Sequence, residues 1–292
     1  MSSTWSRKVF IGCNYLLLAA LAVLCLVPLL HVLAISLSAS SASAAGLVKL
    51  WPVRFTWKSY EFVLSKQEFF TSIGVSVKRL LVGTSVNMLL TILIAYPLSK
   101  EPHRFRYRAY YAWFFVLTIL FHGGLVPLYM TVNLTGLLDT IWALVLPGAV
   151  PVFNMLLLLH FFRNLPKELE ESVFIDGAGY WRALWTIYIP LSSPALATLT
   201  LFCMVHHWNS WFDGLIFMNA PQHYPLQSYL QTMIIRLNFS SISEKELELL
   251  QLVSDRSFKA AQIFLGALPI LLVYPFLQKY FVKGMVLGSV KQ

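Results

Sequence analysis

The sequence predicts an all-α, polytopic membrane protein with six transmembrane helices and both termini on the cytoplasmic side. Three observations predict it. Of the 292 residues, 58% are hydrophobic and only 12% charged, with a mean hydropathy of +0.67; soluble domains carry about 25% charged residues. Six apolar runs reach the roughly 20 residues that a helix needs to cross a bilayer. With the N-terminus inside, the cytoplasmic segments hold twelve Lys and Arg and the longer exterior segments hold seven. Basic residues favour the cytoplasmic face, so the net charge of +9 reads as an orientation signal and implies no nucleic-acid partner.

In chain order, residues 9–36 form the first run, too long for the core of a signal peptide, about 7–15 residues, and therefore a span. The small-residue stretch Ser38–Ala45 follows, then a mixed segment to residue 72 read as an exterior loop with an interfacial helix. Its Trp51, Trp57, Tyr60, Phe69 and Phe70 suit the headgroup region. The second run is 73–98. Lys78 and Arg79 lie in its first turns, where they snorkel to the outer interface or face a translocation cavity and attract an acidic ligand. Residues 99–109 are a short basic inner loop. The third run, 110–131, is interrupted by Gly123-Gly124 and Pro127, and the fourth, 141–162, contains Pro147 and Pro151. Runs five and six cover 190–211 and 258–278, separated by a long polar exterior segment, 212–257. Residues 1–72 thus form an N-terminal transmembrane helix and exterior loop, and 73–292 a core of the five remaining spans with a cytoplasmic loop at 162–190. Cys13, Cys25 and Cys203 lie within apolar runs and read as buried apolar side chains, with neither a disulfide framework nor a zinc site.

Within that loop and into the start of run five, Pro166–Pro194 is a polar island. Pro166 suits the first position of a helix, and Glu168, Glu170 and Glu171 favour its N-terminal turns. Leu169, Val173 and Phe174 share one face. Gly177 and Gly179 break this helix. A second amphipathic helix carries Trp181, Leu184, Trp185 and Tyr188 at helical spacing, and Asp176 is placed to cap it. The island is too short and polar to span a bilayer; it is a solvated loop or a surface for a partner.

Glu171-Ser172-Val173, three residues, Gly177, nine residues, Ile187, Tyr188 and Ile189-Pro190 resemble the cytoplasmic motif of permease subunits in binding-protein-dependent ABC importers. Two alanines of that motif are Ser172 and Val173 here, and its leucine is Ile189. Ile175-Asp176-Gly177-Ala178 is similar to the carbohydrate branch. Gly123-Gly124-Leu125-Val126-Pro127-Leu128-Tyr129, His207-Trp208-Asn209-Ser210-Trp211-Phe212-Asp213 and the tail Phe281–Lys291 resemble its LplC- and YtcP-type permeases, with the second permease of an alginate importer as the specific expectation.

The resemblance implies a type I importer permease fold in a bacterial cytoplasmic membrane. It implies a second permease, two ATPase subunits that bind ATP and Mg, an extracytoplasmic solute-binding protein and a carbohydrate cargo. It assigns ATPase coupling to Glu171, Ser172, Val173, Phe174, Asp176, Gly177, Ile187 and Pro190. Asn154, Trp208, Asn209 and Trp211 are candidates for the sugar path, since sugars stack on aromatic faces and bond to amides; interfacial anchoring is the other role for the tryptophans. The exterior segment 212–257 and the tail are expected to reach the binding protein and the ATPase interface.

The chain itself has no GxxxxGK[ST] phosphate loop, so it is expected to be no enzyme and to hold no cofactor. His206-His207 lack further ligands for a metal. Spans almost free of carboxylates argue against a self-sufficient secondary transporter, which would bury acidic groups midway. That transporter and an importer of another solute are the alternatives.

Overall fold

The computed structural model describes residues 5–235 and 256–272. These are helical; among them the only strand-like pairing is an isolated bridge between Ser38 and Phe55. The chain divides into two compact units, Met1–Phe70 with Thr232–Pro269 and Thr71–Gln231 with Ile270–Gln292.

In the first unit, α1 (Trp5–Ser36) is apolar on every side and exposed along most of its length, as a helix facing lipid must be. Cys13 and Cys25 are accordingly exposed, against the expectation of burial; only Cys203 is buried. The small-residue stretch forms α2 (Ser40–Ala44), and α3 (Lys58–Leu64) follows. Small side chains let backbones approach closely: Ala34, Ile35, Ala42, Val48 and Ala260 make one buried cluster. The Ser36 hydroxyl meets the Tyr60 hydroxyl at 2.7 Å, and Ser38 Oγ donates to the Ala34 carbonyl. The mixed segment is thus a packed structure rather than a loop with one surface helix.

The helix α4 (Gln67–Ser99), in the second unit from Thr71 on, begins six residues before the predicted run. Run three is broken more sharply than an interruption suggests. Its halves, α5 (Arg108–Leu120) and α6 (Leu125–Leu134), meet at 114°. Gly124 supplies the turn with φ +88°, open mainly to glycine. Run four consists of α7 (Ile141–Val145), a tight turn over Leu146–Gly148 and α8 (Val152–Arg163), bent by 50° where Pro147 and Pro151 remove N–H donors. On α8, Met155, Leu158, Leu159 and Phe162 are buried at helical spacing, packing on Ala95, Tyr96 and Leu98 of α4 and on Leu184, Tyr188 and Leu199.

The polar island contains α9 (Lys167–Ile175) and α10 (Tyr180–Ala183), a wide π turn over Leu184–Tyr188 and α11 (Ile189–Leu191). Proline without an N–H cannot continue the four-residue ladder, and the widened turn just before Pro190 absorbs the mismatch. The chain then bends by 81° into α12 (Ser193–Asn209). The segment read as a polar loop opens with helices instead: α13 (Phe212–Phe217) and, from its buried Leu226, α14 (Leu226–Ile235). A last helical stretch, α15, covers residues 256–272. The end of run six, the acidic stretch near 243–250 and the tail Phe281–Lys291 lie outside the described residues. Among those described, two helices are long and apolar enough to cross a membrane, and three bent pairs reach that length together.

Candidate functional site

Pro166 precedes α9 as its cap residue, one position earlier than expected. The helix ends in a closed turn. The Ala178 N–H donates to the Val173 carbonyl and the Gly177 N–H to the Phe174 carbonyl, the paired bonds that finish a helix on a left-handed residue. Gly177 is that residue, with φ +75°. This turn corrects the reading of Asp176. It is the last residue of α9's cap, while α10 is preceded by Gly179 and has no side-chain cap. Three residues of turn separate Asp176 from the free N–H groups it was expected to serve.

On α9, Glu171 and Ser172 are exposed, and Leu169 partly so. Val173 and Phe174 are half-buried; the Phe174 ring lies 5.0 Å from the Tyr180 ring and 5.0 Å from the Arg104 guanidinium. The predicted apolar face is therefore split. Phe174 packs inward, and the most open apolar residue of α9 is Ile175, 85% exposed. The second helix divides likewise: Leu184 and Tyr188 are buried, Trp181 and Trp185 exposed. Ile187 packs partly against the α4–α8 core, and Pro190 is exposed.

The strongest feature was not singled out in the sequence. Glu170, beside the motif glutamate, is buried. Its Oε1 accepts bonds from Lys100 Nζ at 2.8 Å and Arg104 Nη1 at 3.0 Å, and its Oε2 accepts the Tyr188 hydroxyl at 2.6 Å. The Lys100 ammonium sits 3.9 Å from the Tyr96 ring centre and 4.0 Å from that of Tyr188, a cation–π cage. Burial alone would raise the Glu170 carboxyl, but bonds from Lys100 and Tyr188 and the nearby positive charges hold it below the usual carboxylate value. Burial pushes Lys100 down, partly offset by Glu170. Three segments thus meet on one carboxylate: the loop that directly follows α4, α9 and the π turn. One signal lay in the sequence. Glu170 and Phe174 are four residues apart and share a face, so one face of α9 carries both an acid and an aromatic.

A second polar cluster lies farther back along α4. Arg79 is 1% exposed and holds Asp213 in a two-pronged ion pair, with Nη1 also reaching the Ser210 carbonyl at 3.3 Å. It neither snorkels nor stands free for a ligand; Lys78 is the exposed member of the pair. Asn87 donates to the carbonyls of Gly148 and Ala149 at 2.8 and 2.9 Å, acceptors that the break before α8 strips of helical partners. Its oxygen meets His207 Nε2 at 2.6 Å. A Cβ on Gly83 would lie 2.4 Å from the His207 ring, so glycine is required there.

The path candidates do not gather into one surface of this chain. Asn154 is buried with its amide on Cys203 Sγ at 3.3 Å, and Trp208 is buried, while Asn209 and Trp211 are exposed. Among the described residues no three His, Cys, Asp or Glu side chains converge as metal ligands.

Comparison with known proteins follows the same lines. The family described as binding-protein-dependent transport system inner membrane component matches residues 72–287. Protein LplC of Bacillus subtilis is 38% identical, covering 100% of this chain and 98% of its own length. The polygalacturonan/rhamnogalacturonan transport system permease protein YtcP of the same organism is 36% identical, covering 95% and 96%. A crystal structure of a bacterial ABC transporter involved in the import of the acidic polysaccharide alginate contains a similar chain, with TM-score 0.86, 31% identity and coverage of 96% and 99%.

Proposed function

The chain belongs to the family of binding-protein-dependent transport system inner membrane components, and on that premise we propose that it is a permease subunit of an ATP-driven carbohydrate importer. The cargo class we infer is acidic oligo- or polysaccharide such as alginate, supported by the similarity to one relative named for polygalacturonan transport and to a transporter involved in alginate import. In this reading six helices span the membrane with both termini inside. A second permease completes the pathway, two partner ATPase subunits supply ATP hydrolysis, and an extracytoplasmic binding protein delivers the sugar. This chain has no reaction of its own.

One observation carries the coupling role: the exposed side of α9 that bears Glu171, Ser172 and Ile175 is backed by the buried Glu170 cluster. A force on α9 from an ATPase reaches α4 through Lys100 and the π turn through Tyr188, by charge-assisted bonds stronger than neutral ones. The Arg79–Asp213 pair places ionisable groups inside the helical bundle, which a secondary transporter also does, but here each charge is matched by the other.

The test is solubilisation in mild detergent from the native membrane, followed by reconstitution in vesicles. Co-purification of a second permease and a phosphate-loop ATPase, with uptake of labelled oligouronate that needs ATP, is the expected result. A chain that purifies alone and moves solute without ATP would overturn the reading. A cysteine replacing Ser172 is expected to react only from the cytoplasmic side of intact cells; labelling from outside would reverse the topology.

A further inference from the structure

A cavity of about 280 Å³ lies beside the Glu170 cluster, between the inner end of α4 and Tyr180–Leu184. Its walls are almost wholly apolar: Leu93, Pro97, Phe105, Trp181 and Leu184, with the Tyr96 ring. The Tyr96 hydroxyl donates to the Tyr180 carbonyl at 2.9 Å. Lys100 and Arg104 stand at the same cavity. Both donate to one oxygen of the Glu170 carboxylate, and the other carboxylate near Arg104, Glu101, is paired with Lys167, so positive charge is in excess. Arg108 and Arg163 nearby donate to the carbonyls of Lys100 and Leu98, which neutralise no charge. Of the two cations at the cavity, Lys100 is buried and caged by aromatic rings, whereas Arg104 is 28% exposed and its bond to Glu170 uses one of five N–H donors. Tyr107, Tyr110, Trp113 and Trp181 are exposed around this end of the bundle, and such aromatic residues gather at the membrane–water interface.

An apolar groove with surplus positive charge at the headgroup level has the chemistry of an amphiphile carrying a phosphate. Basic pockets between membrane helices on the cytoplasmic side hold anionic headgroups, and guanidinium is the cation that meets phosphate in two-pronged geometry. We propose that this groove binds one anionic phospholipid, its acyl chain against Leu93, Pro97 and Leu184 and its phosphate on the free donors of Arg104. The same guanidinium holds Glu170 and lies over Phe174, so a bound lipid would brace the junction of α4 and α9. The inference rests on the inner-face assignment of this end of α4 and is independent of the cargo.

The experiment is native mass spectrometry of the full chain with its co-purifying subunits, released from bilayers of equal phosphatidylglycerol and phosphatidylethanolamine. Selective retention of phosphatidylglycerol is expected. Arg104→Gln should weaken it about tenfold, the loss of one charge-assisted contact. Leu93→Trp should block the groove while leaving every bond of Glu170 in place, which keeps the test valid if Arg104→Gln fails to fold. Arg106→Gln, in the same loop but off the groove, should retain the lipid. Equal retention of the two lipids would overturn the proposal. So would unchanged binding in Leu93→Trp, or a crosslink showing an acidic ATPase segment seated in the groove.

Discussion

The two buried polar clusters on α4 solve different problems. Arg79 and Lys100 are 21 residues apart, about 31 Å at 1.5 Å per residue, close to the thickness of a hydrocarbon core. The Arg79 cluster lies within the bundle and is built for permanence. One cation meets one anion, and Asn87 fills acceptors opened by a helix break. The Lys100 cluster lies where α4 leaves the bundle and joins elements of separate segments through one carboxylate. The first fixes where a bend sits. The second links the proposed docking helix to a membrane helix. A helix tied at both ends can carry motion between them, and in the proposed importer that is the task of α4.

The largest expected effects come from removing single charges. Glu170→Ala leaves the buried Lys100 without its anion, a loss of about 3–5 kcal/mol for a buried pair, and Lys100→Ala should cost less because Arg104 still donates to Glu170. Thermal unfolding in detergent should show it, whereas Glu101→Ala, breaking the exposed Lys167–Glu101 pair, should change little. Arg79→Ala should cost as much as Glu170→Ala, and Arg79→Met with Asp213→Leu should recover most of the loss. Full stability in Arg79→Ala would erase the distinction between a permanent pair and an ordinary surface contact.

Next come the glycines. Gly83→Ala forces a methyl into the His207 ring and should cost about 1–3 kcal/mol, the range for overpacking. Gly177→Ala meets open space, so only the left-handed backbone resists it; about 1 kcal/mol is expected, and less for Asn. A larger loss of uptake than of stability in Gly177→Ala would assign the turn to docking.

The smallest effect is on pH dependence. The folded Glu170 value lies below its ordinary 4.5, so between the two values the unfolded chain binds more protons and stability rises with pH. Its contribution is full above about pH 4.5 and fades as acidity passes the lower, folded value. The difference in melting temperature between the native chain and Glu170→Gln should shrink on acidification through that window. A difference that does not depend on pH would mean that the carboxyl is not held as an anion.

Much of the fold could be read from spacing, because Met155, Leu158, Leu159 and Phe162 repeat at the helical period. Hydropathy marked where apolar runs lie, but it is blind to direction, so the 114° turn after α5 registered only as two glycines and a proline. The motif pointed to Glu171, yet burial chose Glu170, since neighbouring carboxylates are told apart only once the helix register against Tyr188 is fixed. Arg79 was misread for the same reason: its partner Asp213 is 134 residues away, and no local pattern pairs them. Asp176 failed as a cap because the turn after α9 has its own geometry, set by Gly177.

The most direct measurement is to compare Glu170→Gln with Glu171→Gln in the reconstituted complex, following ATP hydrolysis and sugar uptake together. If the buried cluster carries force inward from α9, Glu170→Gln keeps its partners and hydrolyses ATP while uptake falls by about tenfold or more, a loss of about 1.4 kcal/mol in coupling. Glu171→Gln should instead weaken association with the ATPase. Native uptake per ATP in Glu170→Gln would contradict the account.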